Sequence, residues 1–183
     1  MAVPGLRERG RRAAKCPHGA AKCGDRRVTV TLRPETPADE PFVRSLFLDT
    51  VAQELGASAW PEPMRSHLLG IQYTARRQSH IANNPTAASH VIQADNVDVG
   101  WALVNTMPLE VRVLEIMVLP GMRGSGIGTA VIGEILSTAA AAGKPVRLNV
   151  NVTNQGAIRL YQRLGFRKIG QDAVQYLMES GLM

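Results

Sequence analysis

The sequence predicts a mixed α/β (α+β) domain, and three observations predict it. From His90 onward, apolar residues recur with a period of two. After a glycine-rich stretch at Gly121–Gly128 the spacing becomes helical, and strand-like and helix-like segments then alternate. The turn signal Asp95-Asn96-Val97-Asp98 joins two strands by a short hairpin, so the sheet cannot be purely parallel.

Each element has its own signal. Val28 to Leu32 alternate apolar residues with Thr, as a strand does. Thr36-Pro37-Ala38-Asp39 reads as a helix start: a hydroxyl cap, Pro at the first helical position and an acid in the first turn. Phe42, Val43, Leu46, Phe47 and Val51 follow at helical spacing, and a second helix is expected from about Pro61 to Ile81. Strands are expected near 89–94, 98–106 and 110–119. Ile127, Val131, Ile135 and Ala139 mark a helix that stops at Gly143, with Pro145 beyond. Val146–Val152 reads as a strand, Gln155–Leu164 as a helix ending at Gly165, and 174–179 as the last strand. No internal repeat is present.

Bulk properties exclude several function classes. The chain has 183 residues, 45% hydrophobic and 20% charged, which suits one globular domain with a real core. No apolar stretch approaches the roughly 18 residues of a membrane-spanning helix, and no signal-peptide stretch is seen. The net charge of +6 suggests a nucleic-acid partner, but its distribution argues otherwise. Residues 1–27 carry eight basic and two acidic side chains, whereas residues 28–183 carry thirteen of each. The expected organisation is therefore a basic, disordered tail at 1–27 and a neutral domain at 28–183, with nucleic acid disfavoured as a partner. Cys16 and Cys23, the two cysteines, both lie in the tail, which fits a reducing, cytoplasmic location. With His18 they form C-x-H-x4-C, which lacks a fourth ligand and standard spacing, so no metal is expected.

The strongest local signal is Leu119-Pro120-Gly121-Met122-Arg123-Gly124-Ser125-Gly126-Ile127-Gly128. A strand enters it and a helix leaves it, which makes an anion cradle from close backbone approach, unpaired first-turn N–H groups and the helix dipole. A Walker loop fails, because Ile127-Gly128 stand where Lys-Ser/Thr is needed. A dinucleotide fingerprint fails at Thr129. The pattern Arg/Gln-x-x-Gly-x-Gly/Ala is matched by Arg123, Gly126 and Gly128.

About thirty residues later comes Asn154-Gln155-Gly156-Ala157-Ile158-Arg159-Leu160-Tyr161-Gln162-Arg163-Leu164-Gly165-Phe166. Together the two motifs resemble the GNAT acyltransferase superfamily, carried by the loop, Asn154, Ala157, Tyr161 and Gly165-Phe166, with a GNAT-like opening at Leu32-Arg33-Pro34. The resemblance spans residues 28–179 and is to small bacterial single-domain members. It implies a central mixed sheet of six to seven strands with about four helices on both faces. It also implies acetyl-CoA as co-substrate and an N-acetyltransferase that moves acetyl to a primary amine by direct attack in a ternary complex. The acceptor would be a small molecule or a peptide, and a homodimer is compatible with the class. The competing class is a non-catalytic acyl-CoA sensor with a nucleic-acid-binding tail.

By this resemblance the coenzyme pyrophosphate rests on the amides of Arg123, Gly124, Ser125, Gly126, Ile127, Gly128 and Thr129. The pantetheine arm pairs with Ile116, Met117 and Val118, whose backbone polarises the thioester carbonyl. Asn154 and Ala157 complete the coenzyme contacts, and Asn154 also reads as a helix N-cap. Tyr161 holds the family position of the acid that protonates the leaving thiolate; its other reading is a packing aromatic. The residue twelve before it, a Glu in the ribosomal-protein acetyltransferases of the superfamily, is Asn149, which cannot be a base. Glu115 is the candidate base, with a solvated strand charge as the alternative. His67, His80 and His90 lie in the acceptor segment and read as surface or packing residues, with a water relay to one of them still open. Acceptor specificity is expected from residues 49–90 and the last hairpin. Trp60 and Tyr73 there would pack two helices together, and Arg76-Arg77 read as solvated, with contact to an acidic acceptor as the alternative.

Overall fold

A computed structural model describes residues 28–181. The 1–27 tail, with Cys16, His18 and Cys23, lies outside the described residues. The order is β1 (Val30–Pro34), α1 (Glu40–Glu54), α2 (Glu62–Asn83), β2 (Ala88–Ala94), β3 (Val97–Thr106), β4 (Val111–Val118), α3 (Ile127–Ala141), β5 (Val146–Asn151), α4 (Gln155–Arg163), β6 (Phe166–Gln171) and β7 (Gln175–Ser180). The strands form one seven-stranded sheet in the order β1-β2-β3-β4-β5-β7-β6. Only the β4–β5 pair is parallel among the described strands. The expected mixed fold is thus the observed one, with α1 and α2 on one face and α3 and α4 on the other.

Local chemistry sets the early elements. Thr36 starts a single 3-10 turn at Pro37–Asp39 before α1 begins at Glu40. The Asp39 carboxylate accepts the Thr36 N–H at 2.8 Å and its hydroxyl at 2.9 Å, while the Arg33 guanidinium clamps both of its oxygens. Asp95 (φ 49°) and Asn96 (φ 64°) form the β2–β3 turn, in the left-handed region that these two residue types tolerate.

The larger core lies between the sheet and α3/α4. It holds Ile92, Val113, Ile127, Val131, Ile132 and Leu148, each at most 5% exposed. The second core joins α1 and α2 to the opposite face through Val43, Leu46, Phe47, Trp101 and Met117. Burial of each such side chain contributes about 1.5–3 kcal/mol, so both layers are firmly attached.

Two irregularities shape the sheet around β4. Leu103 pairs with Glu115 and Val104 with Val113, so Leu114 is the extra residue of a β-bulge. The bulge reverses the inward-outward phase. Val111 and Val113 face the α3 core, whereas Met117 faces the α1/α2 core. Second, β4 pairs with β5 only from Val111↔Val146 to Val113↔Leu148. Beyond that point β5 follows β7, through Asn149↔Leu177 to Asn151↔Gln175, and β4 follows β3 to Val118↔Gly100. The two central strands therefore splay apart.

The strand β6 corrects the expected order, which placed one strand after α4 rather than two. Its sequence, Phe166-Arg167-Lys168-Ile169-Gly170-Gln171, forms an edge with a bulge between Lys168 and Gly170, so no period-two pattern survives.

Candidate active site

The splay leaves Leu114–Val118 without a strand partner on the β5 side, and the glycine loop closes the end of this gap. Gly124 (φ 76°) and Gly126 (φ 90°) adopt left-handed conformations that a side chain would strain. Gly126 also caps α3. The first helical bond in α3 runs from Ala130 N–H to the Gly126 carbonyl at 3.0 Å. The N–H groups of Ile127, Gly128 and Thr129 precede it and have no intrahelical acceptor. Gly128 serves packing: a Cβ there would lie 3.3 Å from Leu160 Cδ2 of α4. Ser125 is buried and donates its hydroxyl to the Met122 carbonyl at 2.5 Å, bracing the turn. The Ile127 side chain is core, so only its amide is offered to a ligand.

Arg123 is engaged differently from the simple phosphate cation that the motif implies. Its Nε donates to the Val118 carbonyl at 3.1 Å, Nη1 to Gln53 Oε1 at 3.1 Å and Nη2 to Thr50 Oγ1 at 3.2 Å. Arg123 thus ties the loop to the end of β4 and to α1, with two of its five N–H donors left over.

On the far side of the gap, Asn154 caps α4, its Oδ1 accepting the Ala157 N–H at 3.1 Å. Tyr161 lies two helical turns further along α4, half-buried against the α3 core, with its ring centroid 5.6 Å from that of Phe166. Burial alone pushes its hydroxyl pKa above the ordinary tyrosine value, so it keeps its proton at neutral pH. Packing aromatic and proton donor are therefore compatible roles for this one side chain.

Glu115 comes from the opposite face. The Leu114 bulge turns it toward α2, where its side chain is only 9% exposed, so it is not the solvated strand charge considered above. Its Oε2 lies 3.0 Å from His80 Nε2 and its Oε1 3.2 Å from Arg76 Nη2. His80 is thus a partner of the candidate base, not a free surface residue. Arg76 and Arg77 are not simply solvated either. The Arg76 guanidinium also sits 5.6 Å from the centre of the Phe47 ring. Arg77 donates to both oxygens of Glu35, at 2.9 and 3.2 Å, and the Trp101 indole N–H reaches the same carboxylate at 2.7 Å. Tyr73 packs edge-on to Phe47 and donates to Glu40 at 2.7 Å, joining α1 and α2 as expected. Its burial and the Glu40 carboxylate raise its pKa far above the usual range. Trp60 is partly buried after the 3-10 turn Ala57–Ala59. His67 lines a separate open groove on α2, and His90 is buried in β2 with Nδ1 unpaired.

Sequence reasoning singled out neither Glu35, Thr50, Gln53 nor Trp101. The signal for Trp101 was its place in an apolar strand; the others depend on contacts across 42 to 73 positions. No cluster of three or more metal-binding side chains occurs among the described residues. None of the described helices is long and apolar enough to cross a membrane.

Comparison with known proteins places this arrangement. The mycothiol acetyltransferase of Actinosynnema mirum is 35% identical over 95 residues, covering 49% of this chain and 32% of that protein. The N-alpha-acetyltransferase RimI of Mycobacterium tuberculosis is 38% identical over 76 residues, covering 39% of this chain and 47% of that protein. The matched segments thus span less than half the length of these two curated relatives. Among solved structures, the PaiA N-acetyltransferase of Thermoplasma acidophilum in complex with coenzyme A superposes with a TM-score of 0.65 at 16% identity, covering 82% of this chain and 98% of that one. Residues 51–166 match the acetyltransferase (GNAT) family model. With that match extending over more than half of the sequence, the chain belongs to the GNAT acetyltransferase family.

Proposed function

We propose that the protein is an acetyl-CoA-dependent N-acetyltransferase that acts on a primary amine by direct attack in a ternary complex. The observation that carries this reading is the gap between β4 and β5, closed by the glycine loop at one end and carrying Glu115 on the unpaired stretch of β4. The residues present fit the co-substrate. The unpaired first-turn amides of α3 and the left-handed glycines suit a pyrophosphate, and the partnerless edge of β4 suits an extended amide arm. The coenzyme-bound relative from Thermoplasma acidophilum adds support through its fold.

Bound acetyl-CoA supplies the activated acetyl group. The amides of residues 123–129 hold its phosphates, with Arg123 fixing the loop to β4 and α1. The backbone of Ile116, Met117 and Val118 aligns the arm and supplies an N–H to the carbonyl oxygen. Asn154 and Ala157 shape the far wall through the α4 cap. Glu115 accepts a proton from the acceptor ammonium, and Tyr161 delivers one to the departing sulfur. The acceptor is a small molecule or peptide amine that enters on the α1/α2 side.

Acetyl-CoA consumption and thiol release across polyamines, aminoglycosides, amino acids and peptide N-termini test this reading. Turnover with one amine class is the expected result. Tight acetyl-CoA binding with no thiol release for any class would instead point to a sensor.

A further inference from the structure

We propose that His80 carries the acceptor's proton out of the active site, taking it from Glu115 and releasing it to solvent at the C-terminal end of α2, beside β2 and β3. This rests on the reading of Glu115 as the base. The stoichiometry demands such an exit. The acceptor enters as an ammonium group, its nitrogen forms a bond to the acetyl carbon, and the carbon–sulfur bond breaks. The nitrogen sheds two protons. One balances the departing thiolate by way of Tyr161, and the other must reach bulk water in every turnover.

Glu115 cannot release that proton to water directly. Its side chain is 9% exposed, and each oxygen already faces a partner: Arg76 at 3.2 Å and His80 at 3.0 Å. An arginine stays protonated at any working pH and has no acceptor, so it cannot take the proton. The His80 imidazole can instead take a proton at one ring nitrogen and release one from the other, which is the chemistry a relay needs. Its placement matches the task. His80 borders a small cavity of about 10 Å³ that also touches Glu115, and it borders a larger one of about 120 Å³ lined by Asn84, Pro85 and Ser89. Its side chain is 23% exposed.

The other charged groups around the pair are occupied elsewhere. Arg77 faces Glu35 and Glu40, from the β1–α1 segment and α1. Tyr73 holds its proton against Glu40. Of the side chains that line both cavities, His80 is the one in direct contact with Glu115. It acts through Glu115, so it is a positioning and relay residue rather than a catalytic one.

The test uses the full chain with His80→Gln, which keeps a hydrogen-bond donor toward Glu115, and His80→Ala, which opens the path from the larger cavity. Both are expected to keep the wild-type melting temperature and KM for acetyl-CoA and to lose roughly ten- to a hundredfold in kcat. Added imidazole should restore His80→Ala and not Glu115→Gln. The acidic limb of the kcat–pH profile should move in His80→Gln. Wild-type kcat and pH profile in both variants would overturn the relay, as would a folded, impaired His80→Ala that imidazole does not rescue. If Glu115→Gln retains full activity, the base assignment fails and the relay with it. If Glu115→Gln is impaired while both His80 variants are normal, the relay alone fails.

Discussion

For Tyr161, packing and the proposed proton donation are compatible roles. Its ring fills space beside Phe166, and burial lifts its pKa above the ordinary value of about 10. Tyr161→Phe preserves the ring and removes only the proton. The expected outcome is a kcat loss of roughly a hundredfold or more at unchanged melting temperature, measured by thiol release and thermal unfolding. The proposed activity of the wild-type protein should also show no alkaline loss assignable to this group below about pH 10. An equally active Phe variant would leave packing as its only role. Tyr161 was legible because its spacing from Asn154 and Gly165 is local. Glu115 was legible as a candidate but not in its orientation, which depends on the extra residue at Leu114 in the β3–β4 register. Its partner His80 lies 35 positions away, across a pairing of helix and strand that no local pattern encodes.

At the scale of elements, close approach between segments explains which glycines matter. A Cβ at Gly100 of β3 would lie 2.5 Å from the Met117 carbonyl oxygen and 3.0 Å from Ile92 Cδ1. The carbonyl belongs to β4 and cannot yield without moving that strand. At Gly128 the corresponding atom is the end of the Leu160 side chain at 3.3 Å, which can turn away. Alanine also gains roughly 1 kcal/mol over glycine inside a helix. Gly100→Ala should therefore destabilise by about 1–3 kcal/mol in urea unfolding, and Gly128→Ala by clearly less. Equal losses would mean that α4 is held as rigidly as the strands. Most elements were legible from periodicity and punctuation: Gly143 and Pro145 after α3, Asp95-Asn96 at the hairpin, Asn154 before α4. The strand β6 was not. An edge strand has one unpaired side and needs no apolar alternation, and its bulge at Ile169 breaks the remaining period.

For the whole molecule, the response to pH separates two buried polar features with different windows. Asp39 has its pKa depressed, first by the Arg33 hydrogen bond and then by the Thr36 backbone. Its contribution to stability is present above the unfolded carboxylate value of about 4 and is lost only as pH falls below that. His90 acts earlier. It is 7% exposed on the same sheet face as Ile92, its Nδ1 lacks a partner, and burial lowers its pKa. Below the unfolded histidine value of about 6.5 the unfolded chain binds a proton that the folded chain resists, so stability must fall as pH drops. His90→Leu removes both the orphan nitrogen and this proton linkage while filling the site. Its melting temperature should match or exceed that of the wild type at pH 7.5. Between about pH 6.5 and 5 it should decline less steeply, since the Asp39 network stays intact over that window. Parallel declines in the two proteins would show that the folded and unfolded chains bind the His90 proton alike, against the effect of burial argued above.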